Sequence, residues 1–301
     1  MEKGKGRLNI WMRAFRPFSL SGSIIPVALG GVLAVDRGLF NAALFVLAIA
    51  SISAFQIGAN LLNVCDDYTN KVDTRESFGS CDVAVKKLLT PKQVIKMSLC
   101  FFVSGALIGL YLAYEGGLII FLLGLIGALG GFFYTREPFK LKYRGLGIPL
   151  IFLLYGPLPV LGSSYLQTGQ LGMREVLLSI PVGLLTTAIL HANDIRDMYY
   201  DRKAGIKTLS IMIGREKAKT LYTCMLIISY LFVITMSLTG ITPVWSIAVL
   251  ITLPLAIGNI RKLYAENDDG TGIKTLDQET AKLQMLFGIV FIASILVPTF
   301  T

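Results

Sequence analysis

Asn60-Leu61-Leu62-Asn63-Val64-Cys65-Asp66-Asp67-Tyr68-Thr69-Asn70-Lys71-Val72-Asp73 closes one apolar run of this chain, and His191-Ala192-Asn193-Asp194-Ile195-Arg196-Asp197-Met198-Tyr199-Tyr200-Asp201-Arg202-Lys203 closes another. Both contain Asn-x3-Asp, and 130 residues separate Asn63 from Asn193 and Asp67 from Asp197. On a helix, residues three or four apart share a face. Asn60, Asn63 and Asp67 therefore form one strip of oxygen ligands, and Asn193, Asp197 and Asp201 form another. Asp73 is six residues beyond Asp67 and falls off that face, so the backbone is expected to unwind near Asn70-Lys71. The equal offset suggests an internal duplication of a four-helix unit.

Outward from the two strips, the composition belongs in a bilayer. Of 301 residues, 54% are hydrophobic and 16% charged, with a mean hydropathy of +0.66, against roughly 25% charged in an ordinary soluble domain. Nine apolar segments approach the ~20 residues that a spanning helix needs. They cover 18–35, 40–64, 93–114, 117–135, 146–166, 174–194, 218–239, 243–261 and 280–299. The expected fold is all-α: a single polytopic membrane domain over 1–301 with nine transmembrane helices.

A net charge of +9 does not signal nucleic acid, because the cations are dispersed between apolar segments rather than gathered on one basic face. They report topology instead. With the N-terminus cytoplasmic, all but two of the 28 Lys and Arg residues fall on the cytoplasmic side, the exceptions being Arg37 and Arg174. That asymmetry predicts a cytoplasmic N-terminus, a C-terminus outside and an odd helix number. The long loops 65–92 and 195–217 are then cytoplasmic, and both Asn/Asp strips open onto that face. Cys65, Cys81, Cys100 and Cys224 lack metal-ligand spacing and read as packing residues. The first apolar segment follows a basic start but has no small-residue cleavage site, so it reads as a retained helix.

Carboxylates converging at a membrane boundary repel one another unless a cation neutralises them, and carboxylate and amide oxygens are hard ligands suited to Mg²⁺. Magnesium takes one or two carboxylates together with substrate phosphates. Two facing strips would thus suit a Mg²⁺-bound diphosphate. A cation transporter also places acids on membrane helices, but near the bilayer midplane rather than at cytosolic helix ends beside basic loops.

These residues resemble the UbiA superfamily of membrane prenyltransferases, and within it the 1,4-dihydroxy-2-naphthoate polyprenyltransferases of menaquinone synthesis. The resemblance runs from Arg16-Pro17 through Asn63-x3-Asp67-Tyr68-x4-Asp73, Tyr134-Thr135 with Pro138, and Leu141-x-Tyr143-x2-Leu146-Gly147. It continues through Asn193-x2-Arg196-Asp197-x3-Asp201-x3-Gly205-x-Lys207 to Glu279-Thr280-Ala281-Lys282. It implies Mg²⁺ ligation by Asn63, Asp67, Asp73, Asp194, Asp197 and Asp201, with Asn63, Asp67, Asp197 and Asp201 catalytic. It also implies diphosphate contacts from Arg16, Lys86, Tyr134 and Lys207. The implied partners are a prenyl diphosphate, an aromatic acceptor and the lipid bilayer of the cell membrane, with the site facing the cytoplasm. Phe132, Phe133, Tyr134, Tyr199 and Tyr200 are candidates for an aromatic wall, His191 is a candidate base, and Gly124, Gly127, Gly130 and Gly131 could leave room for the prenyl tail. The chain departs from the family pattern at Val64-Cys65, at Ser80-Cys81-Asp82-Val83 and at Ile148. Other acceptors, such as 4-hydroxybenzoate, homogentisate or a glycerol-phosphate lipid, stay open.

Overall fold

In the computed structural model, residues 6–35, 37–74, 83–266 and 270–297 are described. Cys81 and the Ser80–Asp82 departure lie outside them. The described residues contain no named β-strand; the one extended pairing is an isolated bridge between Arg144 and Lys207. The helices are α1 (Arg7–Phe15), α2 (Ser21–Val35), α3 (Ala42–Thr69), α4 (Pro91–Phe132), α5 (Gly147–Tyr155), α6 (Pro157–Thr168), α7 (Met173–Lys203), α8 (Leu209–Ile213), α9 (Arg215–Leu238), α10 (Leu253–Tyr264) and α11 (Leu276–Leu296). Short 3₁₀ segments lie at Pro17–Leu20, Leu141–Tyr143, Val244–Thr252 and Thr271–Ile273.

Among the described residues eight helical stretches are long and apolar enough to cross a membrane, where the sequence leads one to expect nine. The difference lies in α4. Its 42 residues would run about 63 Å if straight, twice the ~30 Å hydrocarbon core. Gly117 breaks it, with φ 74° and ψ −165°, a conformation that a side chain resists. The break falls between the expected segments 93–114 and 117–135. α4 begins at a capping box, in which Thr90 accepts from the Gln93 N–H and the Gln93 side chain accepts from the Thr90 N–H.

Lipid offers no hydrophobic drive between helices, so close approach of small residues and interhelical hydrogen bonds hold them together. The α3–α4 contact follows this rule: Ser51 donates to the Gly105 carbonyl at 2.9 Å and Ser98 to the Gly58 carbonyl at 2.7 Å. α2 and α6 meet at Gly30, where Ser163 donates to the Val27 carbonyl at 2.8 Å. α5 and α7 cross where Gly156 faces Gly183. The main buried core, including Leu29, Leu185, Tyr222 and Phe287, joins α2, α7, α9 and α11. Of the cysteines expected to pack inside, Cys65 does, but Cys100 and Cys224 lie exposed on outward helix faces. An apolar bilayer helix can turn a thiol to either side without cost.

A Cβ at Gly30 would collide with the Val160 carbonyl and come within 2.8 Å of the Ser163 Cβ. Backbone cannot step aside cheaply, so Gly30→Ala should destabilise the α2–α6 contact by roughly 1–3 kcal/mol. A thermal melt of purified protein in detergent measures this, with Gly124→Ala, where a Cβ meets open space, as the control.

Candidate active site

α3 and α7 both run past the ends expected from hydropathy, 64 and 194, so the Asn/Asp strips sit on their final helical turns. Beyond Thr69 the chain turns through Lys71 in a left-handed conformation, φ 58°. The N–H groups of Val72 and Asp73 then both donate back to the Asp67 carbonyl, at 2.8 and 3.0 Å. This fold-back returns Asp73 to Asp67. Asn63, Asp67, Asp73, Asn193, Asp197 and Asp201 line one small polar cavity of about 20 Å³, together with Arg16 and Lys142.

The carboxylates there stand at helix C-termini, where backbone carbonyls already carry partial negative charge. Two buried cations offset them. Lys142 Nζ lies 2.7 Å from Asp67 Oδ2 and donates to Asn63 Oδ1 at 3.2 Å, while the Tyr143 hydroxyl donates to Asp67 Oδ1 at 2.6 Å. On the other strip Arg196 grips Asp197 with two hydrogen bonds of 2.9 and 2.7 Å, reaches Asn193 Oδ1 at 2.7 Å and pairs with Asp277 at 3.0 Å. Burial alone would lower the Lys142 pKa, but Asp67 and neighbouring anionic groups outweigh it and hold the ammonium well above its ordinary value. Removal from water and the Asp67 charge push Asp73 up to about 7. Burial likewise raises the Tyr134 and Tyr143 hydroxyls, keeping both protonated.

Of the four expected diphosphate contacts, Arg16 lines the polar cavity, from a left-handed turn at φ 54°, while Tyr134 lines only the neighbouring chamber. Lys86 and Lys207 are exposed and line neither. Lys207 acts through its backbone: its N–H donates to the Tyr143 carbonyl at 3.2 Å, bracing the strap that carries Lys142 and Tyr143. His191 is wholly buried, with Nε2 2.9 Å from the Ala218 carbonyl and Nδ1 3.2 Å from Ser210 Oγ. Both ring nitrogens are engaged away from the cavity, which makes it a structural histidine. Of the expected aromatic wall only Tyr134 lines the site, whereas Tyr199 is exposed and Phe132 and Phe133 pack edge-on against each other. Tyr155 and Phe18 line it instead.

Lys142 and Asp277 were not singled out by sequence, and Tyr143 stands in a motif but was given no role. Lys142 occupies the unspecified position in Leu141-x-Tyr143, and nothing in its neighbours distinguishes it from the topological lysines around it. Asp277 reads as an ordinary first-turn acid of α11.

The donor set suits a hard divalent cation. Its members are carboxylate and amide oxygens, whereas Asp194, also expected as a ligand, does not line the cavity, and its Oδ1 is buried with no hydrogen-bond partner. Among the described residues no three Asp, Glu, His or Cys side chains already form a closed metal cage.

Above the polar cavity a chamber of about 110 Å³ shares Arg16, Asn63, Lys142 and Asn193 with it. That chamber in turn shares Gln56, Ala59, Gly131, Leu154 and Tyr155 with an apolar cavity of about 300 Å³. Gly124, Gly127 and Gly131 line the apolar cavity, while Gly130 packs against Leu154. The three spaces form a sequence from charged to apolar.

The profile of the UbiA prenyltransferase family matches residues 23–294. The 1,4-dihydroxy-2-naphthoate octaprenyltransferase of Bacillus subtilis (strain 168) is 30% identical over 285 residues, covering 95% of this chain and 91% of that protein. The UbiA prenyltransferase domain-containing protein 1 of Rattus norvegicus is 33% identical over 291 residues, covering 95% of this chain and 83% of its own length. In fold the chain is similar to a UbiA homologue from Archaeoglobus fulgidus solved bound to GPP and Mg²⁺, with a TM-score of 0.62 at 17% identity over 94% of this chain and 99% of that one.

Arg196→Leu would strand Asp197 and Asp277 as buried, unpaired charges, which should cost about 3–5 kcal/mol of stability. Adding Asp277→Asn should recover part of that loss, and comparison of the two melting curves in detergent reads the recovery.

Proposed function

Because this chain belongs to the UbiA prenyltransferase family, we propose that it transfers a prenyl chain from a Mg²⁺-bound prenyl diphosphate to 1,4-dihydroxy-2-naphthoate. The observation that carries this reading is the succession of three adjoining spaces, from the carboxylate-lined cavity to the middle chamber to the apolar cavity. A prenyl diphosphate has that same polarity along its length. The relative from Bacillus subtilis supports the naphthoate acceptor, and the homologue bound to GPP and Mg²⁺ supports the donor.

The diphosphate would lie in the polar cavity beside Arg16 and Lys142, whose positive charges favour the anion there. Asn63, Asp67, Asp73, Asp194, Asp197 and Asp201 would hold Mg²⁺, which supplies charge neutralisation to the departing diphosphate. As the bond between the first prenyl carbon and oxygen breaks, its electron pair leaves with the diphosphate, and these groups stabilise the developing charge. The allylic carbon becomes electron-poor beside Tyr134 and Tyr155, whose ring faces can stabilise it. A carbon of the electron-rich acceptor ring then bonds to it, and the ring loses a proton.

The same reading sets topology. The halves of α4 on either side of Gly117 are two spans, giving nine in all, with the N-terminus and the site on the cytoplasmic side of the cell membrane. Arg37, one of the two cations that would then lie outside, is neutralised by buried Glu175 at 2.9 Å.

Purified protein incubated with Mg²⁺, labelled prenyl diphosphate and 1,4-dihydroxy-2-naphthoate should give a prenylated product, and chelation of the metal should stop it. Asp67→Ala and Asp197→Ala should each lower turnover by at least about a thousandfold, the scale expected when the stabilisation of a leaving anion is lost; normal rates in either would refute the ligand assignment. Gly127→Leu fills the apolar cavity beside Leu158 and should shift donor preference to shorter chains, read by product chromatography from a mixture of donors.

A further inference from the structure

Gln56 stands on α3 in the apolar part of a membrane helix, is 7% exposed, and lines both the middle chamber and the apolar cavity. Its Nε2 donates to the Ser19 carbonyl at 2.7 Å and approaches Ser19 Oγ at 3.3 Å. A carbonyl only accepts, so the chemistry fixes which end of the amide faces Ser19. Oε1 is thereby turned away from Ser19 and is buried with no hydrogen-bond partner. Tyr134, which lines the same chamber, likewise has a buried and unpartnered hydroxyl.

The first carbon of a prenyl diphosphate joins the charged head to the apolar tail, so it must lie in the chamber between the two cavities. The acceptor ring has to meet it there. An amide oxygen can only accept, which means that the group it recognises must donate, as a ring hydroxyl does. A buried acceptor atom binds a donor selectively, because a ligand without the donor leaves that atom unsatisfied.

We propose that the middle chamber is the acceptor site and that Gln56, held by Ser19, selects hydroxylated aromatic rings by accepting a hydrogen bond at Oε1. This rests on the transferase reading above and adds to it the residue that discriminates the acceptor. Gln56 is a specificity residue; the diphosphate site lies beyond its reach in the polar cavity, whose lining does not include it.

The test compares binding of 1,4-dihydroxy-2-naphthoate with that of 2-naphthoate, measured by calorimetry on the full chain in detergent with Mg²⁺ and a non-hydrolysable prenyl diphosphate analogue. Binding avoids the difference in ring reactivity. The parent protein should prefer the hydroxylated ring by roughly ten- to a hundredfold. In Gln56→Met, and in Gln56→Leu made in parallel, that preference should fall to within about threefold, with retained binding of the donor analogue as evidence of a sound fold. A purely structural role for Gln56 would weaken both rings alike and keep the ratio, which would overturn the proposal. So would a parent protein that binds the two rings equally, whatever the variants do. A parent protein that binds the donor analogue but neither ring would overturn the aromatic-acceptor reading and this inference with it, whereas an unchanged ratio in the variants would sink only the role of Gln56.

Discussion

The structure turns on a repulsion that has to be relieved: several carboxylates brought together, most of them at the C-terminal ends of two helices, in surroundings that screen charge poorly. Helix dipoles add to the negative potential there. Lys142 answers one strip and Arg196 the other, and each is held by elements distant in sequence. Lys142 comes from the strap between α4 and α5, braced by the backbone of Lys207. Arg196 ties α7 to the start of α11 through Asp277. The neutralising network is therefore also what closes that end of the bundle.

That arrangement makes the site both anion-seeking and cation-seeking. The cations at half-buried Arg16 and buried Lys142 suit a phosphate, and the oxygen ligands suit a divalent metal. Neither taken alone accounts for both sets of charges in one small cavity. A diphosphate arriving with its metal would match both.

Packing extends the logic away from the charges. Glycines on α4 are not interchangeable: Gly124, Gly127 and Gly131 border open space in the apolar cavity, while Gly130 lets α4 close onto Leu154. Their spacing puts them on related faces, but only the position of α5 and α6 determines which glycine makes room and which makes contact. The same neighbours bring Gln56 and Tyr134 to one chamber, although 78 positions separate them in the chain.

The helical membrane fold was legible in the sequence because bilayer crossing needs long apolar runs. Hydropathy could not show where α3 and α7 end, since their last turns are polar and are held by tertiary partners rather than by lipid. The Asn/Asp strips were legible because helical spacing aligns their oxygens whatever the surroundings. The partners of those strips were not: Lys142 and Asp277 are ordinary residues in sequence, Tyr143 stands in a motif without an assigned role, and long-range packing alone brings the three to the carboxylates. Lys86 and Lys207 show the converse, cations that the pattern directs to the diphosphate and the packing leaves exposed. Local periodicity is set by the chain, whereas which charges meet, and which buried polar atom is left for a ligand, depends on contacts between segments that no local pattern encodes.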